Sequence, residues 1–332
     1  MSGAVSARLR LCMLAIAAVF ATQAAAAQTV LTVAQHFVGG SDDPRQDMLD
    51  ILSRKLAAAG AGLTLRVLPP SAGSDPWSAL SDGKTDIVSV SADALVNPPA
   101  GLRVSLLPTL VRDHAHAERL NHSPFVGLLK AELAERGVDV LAGTWFAGAV
   151  GSTKSCIRAP ADARGLRLRA ATTVTSYLWE QAGATIVSSP SAELHRALAG
   201  GKVDTIEASA PAFLSLQLYD GMKCLTLPGR NALWFSYQPL LMAKVRLARL
   251  SKAQQDALTR AAGEAEREFE SLARHVDEDL AAKAKASGID VVMLTPAQFS
   301  FWVDAAQRGV YPRVIADDPA SKPMIDAATA VK

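Results

Sequence analysis

Aromatic residues make up only 5% of this 332-residue chain, and the 34 Lys and Arg barely exceed the 32 Asp and Glu. With no basic patch and few aromatics to stack on bases, nucleic-acid binding has no support. Beyond the N-terminal segment no apolar run is long enough to span a bilayer. The chain also lacks His-Glu-x-x-His, Gly-x-Ser-x-Gly, a phosphate-cradling Gly-Lys loop and the Rossmann glycine pattern. Those absences weaken an enzymatic reading without excluding one. His114, His116 and His122 are near neighbours in sequence. His114 and His116 point to different faces of a helix, however, and no Cys completes a zinc set. A solvated helix face is expected there, and no metal or other cofactor.

Cysteine is scarce, at three in the whole chain. Cys12 lies in the apolar run 11–20, which follows Arg8 and Arg10 and precedes Ala25-Ala26-Ala27. This is the pattern of a secretory signal peptide over 1–27, with cleavage after Ala27. A lipid attachment at Cys12 would want a small residue before it, and Leu11 stands there. Loss of Arg8 and Arg10 leaves 32 basic residues against the 32 acidic ones, a near-neutral exported protein. Its remaining cysteines, Cys156 and Cys224, then suggest one disulfide, with a pair of free thiols as the alternative. A bridge closing a loop of about 67 residues stabilises by roughly 4 kcal/mol in the chain-entropy treatment.

What is present is α/β alternation. The spacing predicts strands at 29–35, 63–68 and 86–90 around helices at 43–59 and 77–81. Helices follow over 114–135, broken at Ser123-Pro124, then a strand at 138–142. A second set runs strand 166–169, helix 173–182, strand 184–187, helix 191–199 and strand 203–207. A long strand at 234–243 leads back to the first set. Residues 251–287 then form one long helix, with Ser251 and Gln254 spaced as a capping box. Leu258, Ala262, Ala265, Phe269, Leu272, Val276 and Leu280 make its apolar stripe. At 1.5 Å per residue it is roughly 55 Å long, enough to brace two lobes.

The two sets carry the same local signal. Ala79-Leu80-Ser-Asp-Gly83-Lys84-Thr-Asp86 matches Ala197-Leu198-Ala-Gly-Gly201-Lys202-Val-Asp204 at Ala, Leu, Gly, Lys and Asp. Each reads as a helix end, a left-handed Gly and a strand opening on Asp. Two α/β lobes facing each other fit such a duplicated unit; chance likeness around a common helix stop is the alternative. In the second lobe, Leu166-Arg-Leu-Arg169 alternates apolar and basic residues as a half-buried strand does. Arg169 thus ends a strand, where open α/β sheets place ligands. A guanidinium there offers a planar fork to a carboxylate. The bland alternative is a surface strand with two solvated arginines.

Taken in order, the signal peptide, Asp162-x-x-Gly165-Leu-Arg-Leu-Arg169, Glu193 with Ala197-Leu198, Gly201-x-Val-Asp204-x-x-Glu207 and the long late helix resemble one family. It is that of the extracytoplasmic solute-binding proteins of tripartite ATP-independent periplasmic (TRAP) transporters, of the DctP type. The resemblance implies a two-lobed periplasmic binding protein fold, type II-like, with a hinge and the ligand held between lobes. It implies that Arg169 pairs with the ligand's carboxylate, and that Glu207 is the acidic residue after the Val-Asp strand. It implies a membrane permease partner driven by an ion gradient. Many relatives carry Asn or Trp where this chain has Ala208, and some carry a second arginine where it has Gly148. A C4-dicarboxylate, needing a cation at each end, is therefore a less secure ligand than a monocarboxylate.

The expected division is lobe I over 28–146 and about 235–270, and lobe II over 147–234 and about 271–332. Arg169 leads the candidate ligand contacts. Glu207 can accept from a ligand or form an internal ion pair. Trp77 can cover the ligand or pack in the core. Phe146 and Trp234 flank the crossover strands, as cleft wall or core. Ser209 closes the block that begins at Pro160. Ser188, Ser189 and Ser191 surround a helix start and read as caps. The expected function is a periplasmic organic-acid receptor serving a TRAP-type permease. The alternatives are a periplasmic enzyme using Glu207 as general acid or base, and a ligand-sensing subunit of a signalling system. N-terminal sequencing of the exported protein is expected to begin at Gln28; a retained N-terminus would refute the cleavage reading.

Overall fold

A computed structural model describes residues 28–36, 43–69, 76–95, 97–190 and 193–332. The signal peptide expected over 1–27 lies outside them. The strands are β1 (Thr29–His36), β2 (Leu63–Val67), β3 (Ile87–Val90), β4 (Val138–Ser152), β5 (Arg167–Arg169), β6 (Thr185–Ile186), β7 (Thr205–Ser209), β8 (Cys224–Leu227), β9 (Phe235–Ala243) and β10 (Asp290–Met293). The helices in the first half are α1 (Asp47–Ala59), α2 (Pro76–Ser81), α3 (Ala100–Val104), α4 (His114–Asn121), α5 (Pro124–Glu135) and α6 (Thr173–Gln181). Then come α7 (Leu194–Ala199), α8 (Ala210–Ser215), α9 (Lys244–Leu247), α10 (Lys252–Ala286), α11 (Pro296–Ala305), α12 (Tyr311–Asp317) and α13 (Ser321–Thr329). No helix of the described residues is long and apolar enough to cross a membrane.

One strand organises the rest. β4 is 15 residues long, where the sequence predicts a strand at 138–142 only. Residues 138–147 pair antiparallel with β9 and complete the sheet β2-β1-β3-β9-β4. Residues 148–152 pair with β7, and 150–152 also with β8, in a second sheet that adds β5, β6 and β10. Its glycines are what hid the strand. A Cβ on Gly148 would lie 1.9 Å from the Trp234 indole nitrogen, and one on Gly143 would overlap the Tyr237 ring. Each glycine is there for the close approach of a bulky neighbour. β8 and α8 were not foreseen either, being only 4 and 6 residues long.

Alternation along the shared strands builds both cores. On β9, Leu240 and Met242 enter one buried apolar cluster and Leu241 and Ala243 the other. Successive side chains take opposite faces of a strand. One cluster holds α1 and the stripe of α10, with Leu258, Ala262, Ala265, Phe269, Val276 and Leu280 buried as the heptad-like spacing predicts. α10 runs 35 residues, about 52 Å. It packs on α1 of the first half and on α8, β8 and β10 of the second. Ser251 caps it through Gln254 N–H, with the Gln254 side chain returning the bond. The last helix, α13, packs on α3 and α5, beside the first sheet, whereas the sequence reading grouped it with the second lobe.

The duplicated motif is duplicated in space. Gly83 and Gly201 take φ of 66° and 64°. Thr85 N donates to Ala79 O and Val203 N to Ala197 O. Asp86 N donates to Thr32 O on β1, and Asp204 N to Arg167 O on β5. Each Asp carboxylate then accepts the same neighbour's backbone N–H, Thr32 in one copy and Arg167 in the other. Each also binds an arginine: Arg246 for Asp86, and Arg167 bidentately for Asp204 at 2.7 and 3.0 Å. Both units close a βαβ with parallel pairing, β1–β3 and β5–β7.

His122 is exposed as expected, but His114 and His116 are not on a solvated face. His114 bonds Asp277 at 2.8 Å and stacks edge-on against Phe235. His116 is buried between Arg112 N–H and the Val331 carbonyl. Among the described residues no His, Cys, Asp and Glu group can hold a metal. Cys156 and Cys224 are joined in a disulfide that ties β8 to the segment after β4. Replacing both cysteines by Ser is expected to lower the unfolding free energy by about 4 kcal/mol, seen as an earlier denaturant midpoint. An unchanged midpoint would show that the bridge stabilises nothing.

Candidate functional site

The sequence places a basic residue at each outward position of β5. Arg167 goes to Asp204 and is spent on structure. Arg169 is the last residue of the strand, opposite Ile206 of β7. It opens into a cavity of about 700 Å³. The cavity lies beyond the carboxyl ends of β3 and β5, between the two sheets. One wall comes from the first half, with Asp93, Asn97 and Arg103. The other is the run 169–174 with Tyr177, Ser188 and Ser189, and Asp317 lies at its border.

Arg169 is held in place from behind. Its Nη1 donates to the Glu207 carbonyl at 3.1 Å. Burial pushes its guanidinium down from the usual value, and the charges of Asp93 and Glu207 push back. It remains a cation at any physiological pH. Glu207 itself faces away from the cavity. Its Oε2 accepts from Ala171 N at 2.8 Å and its Oε1 from the Trp179 indole at 2.9 Å. Ala171 precedes the cap of α6, Thr172, whose hydroxyl accepts from Thr175 N. Glu207 thus fixes the turn from β5 into α6, and with it the side of the cavity that Arg169 occupies.

Burial pushes the Glu207 carboxyl up, opposed by hydrogen bonds from Thr175, Ala171 and Trp179 and by the Arg169 charge. For an acid, a raised folded value means that its charge opposes folding above the unfolded value of about 4.3, and the penalty fades as pH falls. Asp204 has the opposite sign. The hydrogen bond from Arg167 holds it below the usual range, so its contribution is present above about pH 4 and lost on acidification.

The other expected contacts fall elsewhere. Phe146 is buried and packs edge-on against Phe269 at 5.3 Å. Trp234 is fully buried over Gly148, its indole nitrogen without a partner among the described residues. Ser209 is buried at the start of α8. None of the three is among the described residues lining this cavity. The physical reason is that β4, β7 and β9 are interior strands, covered on both faces. Trp77 lies on α2, but its side chain is outside the described residues, as is Ser191. Ser188 and Ser189 do not cap α7, whose cap position is Glu193; they line the cavity instead. Sequence reasoning missed Asp93, Asn97, Tyr177 and Asp317. The duplicated motif carried the signal for Asp93, since the strand after it must also end at the cleft.

Two α/β lobes joined by a shared strand, with the Arg169 guanidinium facing a cleft between them, are the architecture of a solute-binding protein. The comparisons agree. The model of bacterial extracellular solute-binding protein family 7, DctP, matches residues 72–316. A solute-binding protein of Albidiferax ferrireducens is 28% identical over 291 residues, 85% of this chain and 86% of that one. A TRAP periplasmic solute-binding protein from Rhodoferax ferrireducens, solved with bound malonate, superposes with a TM-score of 0.83 at 25% identity, over 91% of this chain and 98% of that one. One from Roseobacter denitrificans, solved with bound β-D-glucuronate, gives 0.78 at 19% over 92% and 100%. The chain belongs to the DctP family of extracellular solute-binding proteins.

The role of Glu207 is open to direct measurement. Glu207→Ala leaves Ala171 N–H and the Trp179 indole without acceptors and is expected to cost about 2–4 kcal/mol of stability, read by chemical denaturation. A loss below about 0.5 kcal/mol would mean that the two donors find other partners.

Proposed function

We propose that this chain is a periplasmic receptor that encloses a small organic acid between its lobes, anchors the carboxylate on Arg169 and delivers the ligand to a TRAP-type membrane permease. The observation that carries this reading is the placement of Arg169 at the carboxyl end of β5, facing the cavity and backed by the Glu207 carbonyl. A planar guanidinium presents two parallel donors to a carboxylate, and a low-dielectric cleft strengthens the pair. The malonate and glucuronate bound by the two structural relatives are both carboxylates. An enzymatic role for Glu207 is disfavoured, because both its oxygens are engaged by structural donors.

In this reading the crossovers at 147/148 on β4 and 234/235 before β9 form the hinge. Lobe I holds the first sheet with α1 to α5 and lobe II the second sheet with α6 to α8, and the exported chain starts at Gln28. Contacts from both lobes give the ligand its preference for the closed form. That closed form is what the permease recognises.

The test is a thermal-shift screen of the mature protein against organic acids, followed by calorimetry. A ligand at 100 times its Kd stabilises by about 2.7 kcal/mol. Arg169→Ala is expected to lose at least thirtyfold in affinity, about 2 kcal/mol or more, while its far-UV spectrum stays unchanged. Arg169→Lys keeps the charge but not the fork, and is expected to bind with intermediate affinity. Unaltered affinity in both variants would refute the anchor.

A further inference from the structure

The cavity holds four charged side chains among the described residues: Asp93, Arg103, Arg169 and Asp317. All four have a hydrogen-bond partner. Arg103 binds Asp318 at 3.2 Å and the Pro98 carbonyl, and Asp317 accepts from the Tyr177 hydroxyl at 2.9 Å. Arg169 and Asp93 come from different lobes. Arg169 ends β5. Asp93 sits on the single turn Ala92–Ala94 that follows β3. The turn brings an acid to the cleft face opposite the arginine.

Asp93 is fixed there by the hinge strand. Ser236 of β9, itself buried, donates its hydroxyl to Asp93 Oδ1. The second carboxylate oxygen has no hydrogen-bonding partner among the described residues. Ala208, on β7 beside Arg169, and Gly148, on β4 one strand further, bring no further cation. Ser189, on the wall carrying Arg169, has a buried hydroxyl without a partner among the described residues.

We infer that Asp93 is a specificity-determining residue of this site, selecting carboxylates that carry a hydrogen-bond donor, hydroxyl or ammonium, and rejecting dicarboxylates. The inference rests on the receptor reading above and on its anchor at Arg169. With one carboxylate on Arg169, the far end of a short ligand meets Asp93. A second carboxylate there is a like-charge contact in a poorly screened cleft, which disfavours binding. A hydroxyl or ammonium donates to the open oxygen instead and leaves no buried acceptor unmatched. The site therefore discriminates by repulsion as well as by attraction.

The experiment uses matched pairs on the mature protein: succinate against 4-hydroxybutanoate and 4-aminobutanoate, and glucarate against glucuronate. Affinities are measured by calorimetry for the wild type, Asp93→Asn and Asp93→Ser, with melting curves confirming that both variants fold. Ser keeps a small acceptor for Ser236 should Asn fit poorly. The expected result is that in at least one pair the wild type binds the donor-bearing member at least tenfold tighter, and that both variants cut this ratio at least tenfold. The hydroxyl and ammonium members show which donor is preferred. A wild type that favours the dicarboxylates, or a ratio unmoved by the substitutions, overturns the role of Asp93 while the anchor at Arg169 stands. If no acid of any kind stabilises the wild type, the receptor reading and this inference fall together.

Discussion

The hydrogen bond from Arg169 to the Glu207 carbonyl is the interaction on which the site depends. An arginine at a strand end has four rotatable side-chain bonds and would otherwise sweep through solvent. Here its guanidinium is braced by the backbone of the adjacent parallel strand, and the carboxylate of the same Glu207 pins the start of α6 through Ala171 and Trp179. One residue therefore sets the cation from its main chain and the facing loop from its side chain. Burying that carboxylate is unfavourable, and the cost is offset by aligned donors. What the arrangement provides is a charge held in one orientation.

The second constraint is the continuity of β4 and β9. Because β4 changes partners between Ala147 and Gly148, the two sheets are one hydrogen-bonded surface with a change of direction in the middle. The glycines of β4 make this possible, since Tyr237 and Trp234 lie directly on them. Trp234 over Gly148 also explains why no side chain projects from that strand position. Among the described lining residues the pocket has two cations, Arg169 and the Asp318-bound Arg103, and the rest of its polar wall falls to hydroxyls, an amide and two acids.

Much of this was legible in the residues. Arg169 announced itself through the alternation of 166–169, and the capping box and apolar stripe marked α10 almost to the residue. The paired Ala-Leu…Gly-Lys…Asp motifs turned out to be equivalent down to their hydrogen bonds. Other features could not be read. A strand rich in glycine and alanine has no periodic signature, so β4 looked like a short strand and a loop. Phe146 and Trp234 flank the crossover in sequence, but whether such residues face a cleft or a core depends on which strands cover them. Glu207 had two readings as a lone acid; only its distances to Ala171 and Trp179 distinguish a framework role from a ligand contact. His114 and His116 were judged by their own helix, while the groups that capture them, Asp277 and the Val331 carbonyl, lie more than 160 positions away in the chain.

The path of the chain has a mechanical consequence. β4 crosses between the halves at 147/148, the chain returns beside it at 234/235, and a rod of 35 residues packs on both halves. A joint spliced at neighbouring points and splinted by a stiff bar behaves as the spine of a book. It resists sliding and torsion and yields only by folding along its own line. Any opening between the halves is then confined to the fore-edge.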